Sequence, residues 1–281
     1  MSEPAATKSL FWYGCNMTRH AEIIRLSERM LRAVGVEAAP VGGPGACCGN
    51  PKESTPRVSE AMGDRTMAGF NATGAPRVIT WCPSCHMNLD DFMGQTNDRN
   101  FDSRHLCEAL HERRDALAPL LTHPVKARFL VDRHVGFNGR VPVNELIPEL
   151  LSMIPGASFV DHAYRAPSYM CFSLAPIPGA LADVQRATLA AMRETGADTL
   201  VTIFHSCHRE MIGLERDHGI RVVNWVHLLA EAMGIPYEDE YKAWRNAEDP
   251  LAAIGPERVA AAGEVAVRKL VLPELTRPPV I

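Results

Sequence analysis

Shifted by 122 residues, the chain aligns with itself without gaps over its best region. Thr73-Gly74-Ala75 falls on Thr195-Gly196-Ala197, Thr80 on Thr202, Ser84-Cys85-His86 on Ser206-Cys207-His208, and His105-Leu106 on His227-Leu228. Single matches arise by chance, but several at one offset indicate a duplicated unit. Within each copy, short apolar runs alternate with helical stripes. Residues 10–13 and 77–81 read as strands in the first copy, and 127–131 and 199–204 in the second. Residues 21–34, 59–70 and 184–195 read as helices. This alternation predicts an α/β fold of two tandem pseudo-symmetric repeats with mostly parallel sheets. The repeats are expected at 9–125 and 126–237, followed by a C-terminal helical extension at 238–281 with a helix over 259–270.

Five cysteines stand in the first copy as Cys15-x31-Cys47-Cys48-Gly49-x32-Cys82-x2-Cys85. A C-x-x-C pair alone is a loose signal. An adjacent pair is more restrictive, because neighbouring residues do not easily aim both sulfurs at one small ion but can grip two irons of a larger cluster. Five thiolates also exceed the four of a closed zinc site and the four of an ordinary iron–sulfur cluster. In parallel sheets, functional groups gather beyond the carboxyl ends of the strands. Cys15 and Cys82 both fall at such an end.

This arrangement resembles the cysteine-rich CCG domain of heterodisulfide reductase B subunits and their relatives. The resemblance implies a noncubane [4Fe-4S] cluster held by Cys15, Cys47, Cys48, Cys82 and Cys85, with disulfide chemistry at the cluster. That family usually carries the motif twice. Here the second copy departs from it: Asp132-Arg133-His134 stands where its first cysteine is expected, Tyr169-Met170-Cys171 keeps one cysteine of the pair, and Phe204 replaces the counterpart of Cys82. A second noncubane cluster is therefore not expected. His134, Cys171 and Cys207, with His205 or His208, form a candidate mixed set for zinc, whose ligands are cysteine and histidine. A redox pair and inert core remnants are the other readings of Cys171 and Cys207. His86 and His208 recur in both copies, which points to shared fold geometry rather than ligation, and Cys107 reads as a small core residue.

A worn second motif is similar to one of the two B-type subunits of heterodisulfide-reductase-like complexes in sulfur-oxidising bacteria and archaea. The resemblance implies an oxidoreductase subunit working with a flavin-bearing A-type subunit, a cubane-cluster C-type subunit and a second B-type subunit, on a lipoyl or sulfane-sulfur carrier such as a lipoate-binding protein. Two competing readings are the iron–sulfur subunit of a lactate or glycolate oxidising system, and a zinc-stabilised scaffold without redox function. Gly42-Gly43-Pro44-Gly45 lacks the Lys-Ser/Thr of a P-loop and the spacing of a dinucleotide site. Electrons are thus expected to leave through a partner. The net charge of −4, from 29 basic and 33 acidic residues with no long run of one sign, gives no basic patch for nucleic acid. Residues 1–8 hold no apolar secretory core, no apolar run of about 18 residues is present, and eight cysteines fit ligands in a reducing compartment. The expected location is cytoplasmic.

Overall fold

A computed structural model describes residues 9–15, 17–50, 55–93, 98–277 and 281. Residues 1–8, on which the reading of the N-terminus rests, lie outside them. The chain forms two four-stranded sheets, each parallel throughout. The first contains β1 (Ser9–Gly14), β2 (Ala38–Gly42), β3 (Arg77–Thr80) and β4 (Asp102–His105), in the order β2-β1-β3-β4. The second contains β5 (Ala127–Asp132), β6 (Ala157–Phe159), β7 (Thr199–Thr202) and β8 (Arg221–Asn224), in the order β6-β5-β7-β8. Identical strand order in both sheets establishes the tandem repeat.

The central strands are apolar because helices cover both faces of a parallel sheet. Phe11, Trp12, Val78 and Ile79 are buried in the first sheet, and Phe129, Leu130, Val131, Leu200 and Val201 in the second. Helices Pro56–Thr73 and Ala180–Thr195 occupy equivalent places, each feeding the third strand of its repeat. The recurring histidines have the same use in each copy. Thr80 Oγ1 lies 2.9 Å from His86 Nδ1, and Thr202 Oγ1 lies 3.2 Å from His208 Nδ1, so each ring ties the end of a strand to the helix after it.

The fixed offset of 122 fails at the last strand. Thr80 pairs with His105, whereas Thr202 pairs with Asn224. Asn224 is thus the counterpart of His105, and the alignment of His105 with His227 is a coincidence of spacing. Both residues cap the helix that follows. Cys107 is fully buried, as a core residue should be.

The segment after residue 237 folds back onto the second repeat. Tyr241, Ile254, Val267 and Leu275 are buried, Asp239 Oδ2 lies 2.7 Å from His208 Nε2, and Lys242 Nζ lies 2.9 Å from Glu215 Oε2. The single helix expected over 259–270 is broken. Pro256–Ala262 stops at Gly263, whose φ of 84° lies outside helical space, and Glu264–Ala266 continues into a π-turn at Val267–Val271.

Candidate metal centres

The chain runs from β1 to β2 on one side and then from β2 back past β1 to β3 on the other, so the strand order reverses between β1 and β3. The crevice beyond such strand ends is a favoured binding site in parallel sheets. Cys15 directly follows β1 and Cys82 lies two residues beyond β3. All five cysteines of the first copy line one cavity of about 460 Å³ at this edge. Cys15 and Cys47 bring their sulfurs to 3.4 Å. The backbone N–H groups of Gly49 and Cys85 donate to Cys47 Sγ (3.5 Å) and Cys82 Sγ (3.4 Å). Donation to sulfur favours the thiolate and tunes a bound cluster.

The backbone around the cysteine pair is pinned. Thr66 Oγ1 donates to the Cys47 carbonyl (2.8 Å) and Asn88 Nδ2 to the Cys48 carbonyl (2.6 Å). Gly49 has φ +88°, and a side chain there would strike the Ser59 carbonyl at 2.3 Å. Gly14, at φ +78°, leaves room for Cys85 Sγ, which a Cβ would meet at 3.2 Å.

These thiols compete for negative charge. Hydrogen bonds with Cys15 and Cys48 pull the Cys47 thiol well below its ordinary pKa. The bond with Cys47 raises Cys15, and pushes Cys48 up to about 12, while its contact with Cys48 raises Cys85. A cluster of cations removes this conflict by giving every thiolate a counter-charge, with release of protons. The donor set and the cavity fit a metal cofactor.

The second repeat closes the cavity. Met170, Phe172, Phe204, His205 and Ser206 line it opposite the cysteines. Phe204, standing in the place of Cys82's counterpart, presents an apolar wall instead of a ligand. His205 packs between Phe204 and Trp81, with ring centroids at 4.4 and 5.7 Å. Burial holds its pKa well below that of a free imidazole, so the ring is neutral.

His205 is therefore not part of the second thiol group, contrary to the sequence expectation. It lies two residues before Cys207 on the helix His205–Met211, and such residues do not share a helix face. What joins His134, Cys171 and Cys207 is Asp132, which the sequence reading passed over. Its signal was an acidic residue ending a buried strand. The four ligand atoms lie within 4.8 Å of one another and all four residues are buried. Counted from the strand register, in which Trp12 and Asp132 are equivalent, the counterpart of Cys15 is Val135, not His134. Burial opposes a charge on His134, but Cys207 and Asp132 outweigh it and hold the imidazole well above its usual range. Among the described residues all eight cysteines are free.

Residues 9–90 match the family model of the CCG cysteine-rich domain, so the first repeat is similar to that domain over this stretch. CCG domains occur in redox iron–sulfur subunits, and the cysteine and histidine groups of this chain are compatible with metal binding. No curated protein matches the chain. Two solved structures align with it over most of its length at low similarity. The aspartate racemase of Picrophilus torridus shows 12% identity, covers 84% of this chain and 98% of its own, and has a TM-score of 0.35. An aspartate racemase homologue from Pyrococcus horikoshii shows 8% identity, 82% and 98% coverage and a TM-score of 0.36. Likeness at this level carries no functional argument. No helix among the described residues is long and apolar enough to cross a membrane.

Proposed function

We propose that this chain is the iron–sulfur subunit of a heterodisulfide-reductase-like complex, with one noncubane [4Fe-4S] cluster held by Cys15, Cys47, Cys48, Cys82 and Cys85. The observation that carries the reading is the convergence of all five cysteines on one cavity. When bound, such a cluster supplies one-electron redox chemistry at sulfur. The chain itself holds the thiolates with backbone donors, excludes water with Met62, Met170, Phe172 and Phe204, and offers an apolar approach for a thiol or disulfide. Because Phe204 stands opposite, a substrate sulfur meets one cysteine-lined wall and one apolar wall. That asymmetry supports single-electron steps or relay, in place of a symmetric capture of both halves of a disulfide.

The partners in this reading are a flavin-bearing A-type subunit, a cubane-cluster C-type subunit and a second B-type subunit, with a lipoyl or sulfane-sulfur carrier as substrate in sulfur oxidation. Anaerobic purification followed by iron and sulfide analysis tests it. About four irons per chain are expected for such a cluster. A preparation holding zinc as its only metal would overturn the proposal.

A further inference from the structure

We propose that the second repeat contains a permanent zinc site made by Asp132, His134, Cys171 and Cys207, separate from the cluster cavity. The first argument is a count of protons. His134 Nε2 faces Cys207 Sγ at 3.2 Å, Cys171 Sγ at 3.8 Å and Asp132 Oδ2 at 3.5 Å. One ring nitrogen carries at most one hydrogen, so it can donate to only one of these three groups. His134 Nδ1 lies 3.3 Å from the Pro167 carbonyl, an acceptor only. That contact keeps a proton on Nδ1, so that losing the Nε2 proton to a metal frees a lone pair facing the sulfurs and the carboxylate. A metal ion in place of those protons would pair Nε2, both sulfurs and the carboxylate at one point.

The second argument is metric. With zinc–sulfur bonds of about 2.3 Å and zinc–nitrogen or zinc–oxygen bonds of about 2.0–2.1 Å, the edges of a tetrahedral site run from about 3.3 to 3.8 Å. The four recorded edges are 3.2, 3.8, 3.5 and 3.8 Å, the last between Cys171 Sγ and Asp132 Oδ2. Four ligands from protein close the coordination shell, as in structural sites.

The surroundings are built for ligation. The Cys171 N–H donates to Cys207 Sγ at 3.2 Å, which stabilises a thiolate. The Pro167 carbonyl plays the outer part that orients a ligating histidine. Asn144 Nδ2 donates to the His134 carbonyl at 2.9 Å, and His134 bridges in parallel to Ala166. The only ion-pair partner of the buried Asp132 carboxylate among the described residues is His134. The ligands come from the end of β5, the turn after it, the 3-10 turn Cys171–Leu174 and the helix His205–Met211. The metal therefore fastens together the loops that form the apolar wall of the cluster cavity.

The test uses the intact protein, purified anaerobically from medium holding both zinc and iron, with metal analysis and X-ray absorption at the zinc edge. The expected result is about one zinc per chain with a first shell of two sulfurs and two nitrogen or oxygen atoms. Cys48→Ser should keep that zinc while losing iron, and Cys207→Ser should lose zinc. If Cys207→Ser fails to fold, cobalt exchanged into the wild-type chain gives the alternative measurement, with sulfur-to-cobalt absorption expected in the near ultraviolet. Absence of both zinc and cobalt uptake, a four-sulfur shell, or loss of zinc in Cys48→Ser would each overturn the proposal. Because iron and zinc are counted separately, failure of the cluster assignment and failure of the zinc site are distinguishable.

Discussion

The sulfurs of Cys15 and Cys47 lie 3.4 Å apart although 31 residues separate them. Their meeting follows from strand register. Gly14 at the end of β1 pairs with Gly42 at the end of β2, and Gly43 N donates to the Gly14 carbonyl at 2.9 Å. Trp12 Nε1 then holds the Ala46 carbonyl at 2.9 Å, which fixes the loop just before the cysteine pair. Two parallel neighbours deliver both segments to the same edge of the sheet.

The cysteines of the two repeats should separate by spectrum. Cys48→Ser is expected to remove most of the iron-dependent visible absorption, since Cys48 lines the cavity beside Cys47 and Cys85. Cys171→Ser should leave that absorption within about a tenth of wild type, because Cys171 belongs to the Asp132–His134–Cys207 group. Equal bleaching in both variants would contradict the division of the two sites.

A pair of glycine variants separates backbone strain from crowding at the cavity. Gly14→Ala and Gly139→Ala both force alanine to positive φ, at 78° and 68°, which costs about 1–2 kcal/mol. Only at Gly14 does the new Cβ approach a cysteine sulfur, at 3.2 Å, whereas Gly139 has open space. Similar losses of stability are expected, with reduced iron content in Gly14→Ala alone. Denaturant titration together with iron analysis measures both.

Removing Asp239 should loosen the C-terminal segment from the second repeat. Its carboxylate lies 2.7 Å from His208 Nε2 and accepts from Lys242 N at 3.0 Å. Its contact with His208 and the bond from Lys242 N outweigh burial and hold its pKa far below the usual carboxylate range. Asp239→Ala is expected to cost about 3 kcal/mol, in the range for breaking a buried ionic contact. Urea unfolding checks the value, and an unchanged iron content would place the effect in the scaffold.

Acid should destabilise the chain before carboxylates titrate. Burial lowers the pKa of His20 and His227 and pushes that of His105 down to about 3. In the unfolded chain these imidazoles titrate near 6.5. Below that pH the unfolded state binds protons that the folded state refuses, so stability falls as pH falls. Each group contributes up to about 1.4 kcal/mol per pH unit until its own folded pKa is reached. The lowered carboxyl of Asp239 adds a further loss below about pH 4. Urea midpoints should drop from pH 7 to 5.5, and a flat profile would refute the account.

The sequence by itself determined the repeat, the α/β class and the cysteine set. Each was written in contiguous patterns: the central strands β1, β3, β5 and β7 are the apolar runs read at 10–13, 77–81, 127–131 and 199–204. The four strands it did not reveal, β2, β4, β6 and β8, are all sheet edges. Edge strands such as Ala38–Gly42 and Asp102–His105 bury less, so their composition carries little period. Only the tertiary structure brought Asp132 to Cys171 and Cys207, turned His205 away from them, and exchanged Asn224 for His227 as the counterpart of His105. Those outcomes depend on strand register and on which face of a helix a side chain occupies. Both are set by packing between distant segments, which a fixed offset along the chain cannot express.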